Sequence, residues 1–383
     1  MTVTTERPES LVQQLVPGAS VRRRLLVLGA LAVAIFTLLI APSDTFRDGF
    51  HDWRYLEDLQ ADVRPLDVGQ RAQAATVALG DGRVLVWGGR GQGPASGIVL
   101  NPTSGDVEPL PEAPGPGRFS AAAVWTGTEA LVWGGSTSSS PFVFDPGGVA
   151  FDPATGTWRE LAPAPIGLVG ARAAALDGGV LFAGGAPQSS DTQPVSLWLD
   201  AATGAWTRID APVQVVSTVR LGDRLLATGP AAPAETGSWP VWAFDPATLT
   251  WSPFADALST QWAALAVGND GALTAVALES LNEPLRAYAW TDGRWDEVAR
   301  SARAAQGIVT IEYRGYPPVE VRTDDLLVVG GEGSLTGWDP DRRVFSHLAD
   351  PDVTTFGGTA VWTGRAIAAP VNQARSGWVL EIG

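Results

Sequence analysis

An aspartate or asparagine followed, six positions on, by a large apolar residue recurs along this chain at nearly even intervals. Three copies are strong: Asp152-Pro-Ala-Thr-Gly-Thr-Trp158, Asp200-Ala-Ala-Thr-Gly-Ala-Trp206 and Asp245-Pro-Ala-Thr-Leu-Thr-Trp251. Asn101-Pro-Thr-Ser-Gly-Asp-Val107 and Asp339-Pro-Asp-Arg-Arg-Val-Phe345 are weaker, and Trp290-Thr-Asp-Gly-Arg-Trp295 keeps the turn without the leading acid. The final residues lie 51, 48, 45, 44 and 50 positions apart. A period of this length with short apolar runs, and no sustained 3.6-residue stripe, means repeated strands rather than helices.

The motif is a hairpin in chemical terms. The acid can bond the backbone of the turn, Pro presets φ, Gly accepts φ > 0, and the Trp opens a returning strand where its area covers a neighbour. A second hairpin stands upstream. Its clearest copy runs from Arg118 through Val124-Trp125, a Thr-Gly-Thr-Glu turn and Ala130-Leu-Val-Trp to Gly134-Gly135. Residues 71–89 repeat it through the turn Gly80-Asp81-Gly82 to Gly88-Gly89, and worn copies end at Gly184-Gly185 and Gly330-Gly331. Two hairpins per repeat give four strands, which is a propeller blade.

The spacing of 16 from Arg118 to Gly134 and from Arg314 to Gly330, the diglycine and the later Asp-Pro…Trp turn together resemble the kelch repeat. Residues 118–161 match well. Residues 71 to 117 and the third and sixth repeats match in part, the fourth has Thr228-Gly229-Pro230 in place of the diglycine, and the fifth, residues 260–298, has none. The resemblance covers most of residues 71–383 and implies an all-β, kelch-like propeller. It implies no activity, because such propellers serve many functions. The copper chemistry of galactose oxidase, a kelch-like enzyme, uses a Tyr cross-linked to Cys and does not transfer to a chain with no Cys.

Six outer strands are marked by Val107, Trp158, Trp206, Trp251, Trp295 and Phe345. Residues 355–362, 365–370 and 377–382 supply three more strands and the chain then stops. Residues 51–56, which contain Trp53, read as an outer strand with no preceding hairpin. The economical expectation is that they complete the last blade and close a seven-bladed ring, which removes exposed strand edges. Six or eight blades are the alternatives. Phe46, Phe50 and Trp53 can also be read as an interfacial aromatic belt.

Residues 25–41 carry no charge and follow Arg22, Arg23 and Arg24. At 1.5 Å per residue the run is about 25 Å long, enough for a short membrane span, and the basic flank places the N-terminus in the cytoplasm. The expected organisation is a cytoplasmic tail over 1–24, a transmembrane signal anchor over 25–41, a juxtamembrane linker over 42–50 and the propeller over 51–383. The location is then a single-pass cell membrane with the propeller extracytoplasmic. A cleaved signal peptide, a twin-arginine export signal and a buried core helix are the competing readings.

Composition closes off several chemistries. All 26 basic residues are Arg, there is no Cys, and there are 2 His, so Schiff-base lysines, thiol nucleophiles, disulfides and thiolate metal sites are excluded. Residues 1–24 carry a balance of +2, leaving −17 on the rest, which repels nucleic-acid backbones. His51 and His347 both fall on outer strands, the acidic pairs Asp339/Asp341 and Asp350/Asp352 read as turn caps, and no metal or cofactor is expected. Gly88-Gly-Arg-Gly-Gln-Gly93 follows a strand but opens no helix, so it is not a phosphate cradle.

What remains is positional. The loops at about 90–98, 136–148, 186–195, 229–240, 278–286, 332–336 and 370–376 should share one face with the blade-to-blade connections. Arg71, Arg118, Gln261, Trp262 and Arg314 open inner strands, and Trp239, Glu235 and Glu332 lie on the loops. These are the candidate binding residues, although the kelch resemblance implies that an Arg at the first position locks neighbouring blades. No catalytic set is visible. The expected role is a non-catalytic scaffold binding a protein or cell-envelope partner. A carbohydrate-binding or carbohydrate-modifying enzyme of the envelope, with a glycan partner, and an accessory subunit of a membrane complex are the alternatives.

Overall fold

The computed structural model describes residues 61–66, 68–69, 71–90, 95–187, 194–231, 237–280, 283–304, 319–331, 334–349, 360–371 and 376–382. Residues 1–51 and 52–383 form two units, and every described residue belongs to the second. The tail, the anchor, the linker and residues 51–56 lie outside the described residues. No helix among the described residues is long and apolar enough to cross a membrane.

Seven four-stranded antiparallel sheets make the propeller. Blade one, from axis to rim, is Ala75–Ala78, Val84–Trp87, Gly97–Leu100 and Val107–Pro109. Blade two is Ala122–Trp125, Ala130–Trp133, Gly148–Asp152 and Thr157–Leu161; blade three is Arg172–Leu176, Gly179–Ala183, Val195–Asp200 and Trp206–Asp210. Blade four comprises Ser217–Leu221, Arg224–Thr228, Ser238–Asp245 and Thr250–Ser259, and blade five Trp262–Val267, Leu273–Leu278, Pro284–Thr291 and Arg294–Ala304. Blade six comprises Val319–Arg322, Leu327–Gly331, Ser334–Asp339 and Val344–Ala349. All six expected outer-strand markers fall in rim strands.

Blade seven takes Val361–Trp362, Ala366–Val371 and Ser376–Ile382 from the C-terminus, and its rim strand from the N-terminal side. That rim strand is Ala61–Leu66, paired from Ala61↔Ile382 to Leu66↔Gly377 and reinforced by an ion pair between Arg64 and Glu381. The fourth position is therefore held by a segment some ten residues later than the 51–56 expected from the spacing. The register also fixes a direction: Gly377 follows the loop after the second strand, so Leu66 lies at the loop face and Ala61 at the opposite, turn face. Contact between the inner strands Ala75–Ala78 and Val361–Trp362 completes the ring.

Second strands such as Val84–Trp87 and Ala130–Trp133 are buried at every position, because both faces of the sheet meet neighbouring blades. Rim strands such as Thr157–Leu161 are exposed along one face. Between blades, Trp87 meets Trp158 at 6.3 Å and Trp133 meets Trp206 at 5.2 Å. The repeated rim tryptophans also reach back to the preceding blade or its connection. Trp158 Nε1 donates to Pro111 O (3.1 Å), Trp206 Nε1 to Ala162 O (2.7 Å) and Trp295 Nε1 to Asp256 O (2.7 Å). Each bond adds about 1 kcal/mol to the area the ring buries.

The turn chemistry is as expected. Asn101, Asp152, Asp200, Asp245 and Asp339 each accept, through Oδ1, the backbone N–H two residues on, at 2.8–3.1 Å. The diglycine has a two-sided cause. A Cβ on Gly88 or Gly134 would lie 2.3 or 2.7 Å from the carbonyl oxygen of Arg118 or Leu168, in the chain entering the next blade. A Cβ on Gly89 or Gly135 would instead meet the entry of its own blade, at 2.9 Å from Arg71 and 2.7 Å from Phe119. Blade four has Thr228 in the first place and keeps only Gly229.

Candidate functional site

Polar side chains from several blades converge at the axis. Along Val319–Arg322 the two valines pack into the core, and Glu320 and Arg322 alternate to the other face. Glu320 Oε1 accepts from Arg322 Nη2 (2.7 Å) and from the hydroxyl of Ser217 on blade four (2.6 Å). Arg322 also donates from Nε and Nη2 to Leu265 O on blade five, at 3.1 and 2.6 Å, and the Leu265 N–H donates to Ser217 Oγ at 3.0 Å. Arg172, the first residue of the inner strand of blade three, approaches Glu320 Oε2 at 3.4 Å. Inner strands of blades three, four and six thus meet on one carboxylate, and blade five joins them through Arg322 and Ser217.

The exposures are uneven. The Glu320 side chain is 2% exposed, whereas those of Arg172 and Arg322 are 29% and 31% exposed. A buried carboxylate without partners is costly, and here two guanidiniums and a hydroxyl compensate it. Arg172, Arg322 and Glu320 together carry one more positive than negative charge, and the carboxylates of Asp324, Asp325 and Asp341 stand on the Arg322 side. On the turn side, Arg322, Asn269, Asp324, Asp325 and Asp341 line a cleft of about 60 Å³. That is room for a few waters, far below the roughly 300 Å³ at which organic ligands are enclosed. No group of three His, Cys, Asp or Glu that could hold a metal occurs among the described residues.

The loop face has a second feature. Between the second and third strands of blade two, Ser136–Ser139 and Phe142–Phe144 form an extra hairpin. Its base is tied down: Phe119 and Ser136 exchange backbone bonds at 3.1 and 3.0 Å. The buried Ser136 hydroxyl donates to Ser138 O at 2.7 Å and accepts from Val143 N–H at 3.0 Å. Phe142 lies 6.0 Å from Phe119, over which the Arg90 guanidinium sits at 4.2 Å. The exposed large apolar side chains among the described residues are Val107, Phe142 and Val143; the last two are successive residues of the hairpin and point to its opposite faces, Phe142 on the side of Phe119 and Phe144.

The residues expected from sequence separate into three groups. Arg71 and Arg118 are buried and bond within their own blades. Arg71 Nη1 donates to Ser96 O (3.0 Å), and Arg118 Nη1 donates to Gly147 O (2.7 Å) beside Asp145 (3.4 Å). The Arg118 guanidinium also lies 5.3 Å from the Trp87 ring of blade one, so it does lock two blades. Burial lowers the pKa of both groups, in Arg118 against the opposing pull of Asp145. Trp239 and Trp262 are core residues, 3% and 0% exposed, which leaves neither ring for a ligand; Gln261 is exposed, with its N–H bonded to Leu278 O. Arg314, Glu332 and Glu235 lie outside the described residues.

Sequence reasoning missed Arg172, Ser217, Glu320 and Arg322. A signal was present: two charges alternating with two valines in one inner strand is a period-two pattern with a polar side. It was hidden because the worn sixth repeat gives no secure register from which to tell an axial strand from a rim strand.

No family model matches this chain, and no curated protein matches it. Solved structures do. A structure described as that of YjhT is 16% identical, covers 74% of this chain and 99% of its own, and has a TM-score of 0.51. A fungal alcohol oxidase of the AA5 family, in complex with copper, is 12% identical over 85% of this chain and 76% of its own, with a TM-score of 0.60. A protein from Bacteroides uniformis described as a 6-phosphogluconolactonase is 14% identical over 76% and 89%, with a TM-score of 0.53. At these identities the likeness is one of fold.

Proposed function

We propose that this chain is a membrane-anchored, extracytoplasmic propeller that acts as a non-catalytic interaction scaffold, docking a protein partner on its loop face. The observation that carries the reading is the anchored hairpin with Phe142 and Val143 at 48% and 44% exposure. Exposed apolar side chains on both faces of a hairpin whose base is tied to the blade suit a partner that grips the hairpin, since little ordering is left to be done on binding. The strand Ala61–Leu66 begins at the turn face, opposite the hairpin. The carbohydrate alternative draws on the charged axial cluster, but Trp239 and Trp262, the tryptophans among the candidate binding residues, are packed in the core.

Because the chain has no Cys, single-cysteine variants of the full-length protein label without background. Ser139→Cys should react with a membrane-impermeant maleimide in intact cells, which tests the topology. A photo-crosslinking residue at 142, in native membranes, should yield one discrete adduct that the same residue at Arg294, the first residue of the blade-five rim strand, does not. Equal adducts at both positions, or none at 142, would overturn the docking face.

A further inference from the structure

The axial cluster goes beyond a docking face, and we infer that it is a binding site for a small monovalent organic anion, a carboxylate. Glu320 is almost wholly buried, and its Oε1 is fully engaged by Arg322 and Ser217 at 2.7 and 2.6 Å. Oε2, in contrast, has one contact, the 3.4 Å approach of Arg172 Nη2. Among the described residues that approach is also the one polar contact of the Arg172 side chain, which remains 29% exposed. A structural ion pair would close on this oxygen, with both forks matched at about 2.8 Å. Here the guanidinium makes one long bond, at 3.4 Å, and its side chain stays 29% exposed.

The charge decides the class of ligand. Arg322 is neutralised by Glu320 and stands beside Asp324, Asp325 and Asp341, so Arg172 is the one guanidinium left to offer a positive charge, which one negative charge neutralises. A dianionic phosphate would leave the site negative beside Glu320, where low dielectric magnifies repulsion. The planar fork of Arg172 matches a carboxylate through two parallel N–H bonds. Arg322 is committed to Leu265 and Glu320 and acts as the positioning residue. The site depends on no residue of the blade-two hairpin, so it stands whether or not that hairpin docks a partner.

The test uses the full-length protein in mild detergent at constant ionic strength, with sodium acetate and sodium phosphate as probes. Binding is read by saturation-transfer NMR of acetate and by the shift in melting temperature. Acetate should bind saturably, at least about tenfold more weakly to Arg172→Gln, and unchanged to Arg294→Gln, whose side chain is exposed at the start of the blade-five rim strand. Arg172→Gln should fold, because Glu320 keeps both of its short bonds. Arg172→Lys, which retains the charge without the fork, is the second probe and should fall between the two. Absence of saturable acetate binding, equal binding by wild type and Arg172→Gln, or tighter binding of phosphate than acetate would each overturn the assignment.

Discussion

Replacing Gly88 by alanine and, separately, Gly156 by alanine separates backbone strain from blade packing. Both glycines have positive φ, +69° and +68°, so the left-handed conformation costs any L-residue about 1–2 kcal/mol at either site. Around Gly156, in the rim turn of blade two, a new Cβ meets nothing within 4 Å. At Gly88 it would sit 2.3 Å from the Arg118 carbonyl oxygen, about 1 Å inside ordinary contact, and that oxygen belongs to the next blade. The two blades must then part. Overpacking of this kind costs about 1–3 kcal/mol. The parting also strains the Gly89 N–H bond to the same oxygen, 2.9 Å long and worth about 1 kcal/mol. The expected losses are therefore about 1–2 kcal/mol for Gly156→Ala and about 3–6 kcal/mol for Gly88→Ala. For a body of this size 1 kcal/mol moves the melting temperature by about 1.5 °C, giving shifts of about 2–3 °C and 5–9 °C. Differential scanning calorimetry of the full-length protein, with urea midpoints alongside, measures both. Equal shifts would refute the claim that the first glycine of the pair serves the interface between blades.

Arg343 stands at φ +57°, where Gly105, Gly156 and Gly204 stand in other repeats, and its side chain is exposed. Arg343→Gly should raise stability by about 0.5–1 kcal/mol, read as a higher urea midpoint. Trp206→Phe keeps the ring against Trp133 and loses the bond to Ala162 O; a loss of about 1 kcal/mol is expected from the same measurement. The backbone N–H of Ala154 and the hydroxyl of Thr155 hold the Asp152 carboxyl below the ordinary 3.8, and the hydroxyl and N–H of Thr203 do the same for Asp200. A folded-state pKa below the unfolded value gives stability that is present above about pH 4 and lost as pH falls through the folded value. The double variant Asp152→Asn, Asp200→Asn should therefore lose less stability than wild type between pH 5 and pH 2, and a parallel decline in the two proteins would contradict this.

The rim of the propeller was readable from sequence because its determinants are local. An acid two residues before the N–H it caps, a Trp opening a strand and a glycine pair all act within one repeat, and the positions of Trp158, Trp206, Trp251 and Trp295 followed. The closing strand was harder. Its topology follows from the missing fourth strand of blade seven, but Ala61–Leu66 is selected by pairing with Ser376–Ile382, a partner more than 300 residues away that no local pattern announces. The axial cluster was hidden for the same reason, since Arg172, Ser217 and Glu320 meet only when four blades are in place. Trp262 shows the reverse error: it opens an inner strand, yet the tight approach of blades four and five encloses it.

The pairing of Ala61–Leu66 with Ser376–Ile382 also sets an order of events. The rim strand of the last blade leaves the ribosome before the six blades that separate it from its partner. At about 5–20 residues per second it waits some 15–60 s for that partner to be made. Closing a loop of that length in an otherwise unfolded chain would cost about 5 kcal/mol in entropy. Six blades folding in sequence remove most of that cost by bringing the two ends of the arc together. The seventh blade therefore forms last, and its first strand stays unpaired throughout synthesis. Truncation of the final seven residues should leave the arc open, with an exposed edge, whatever the stability of the other blades.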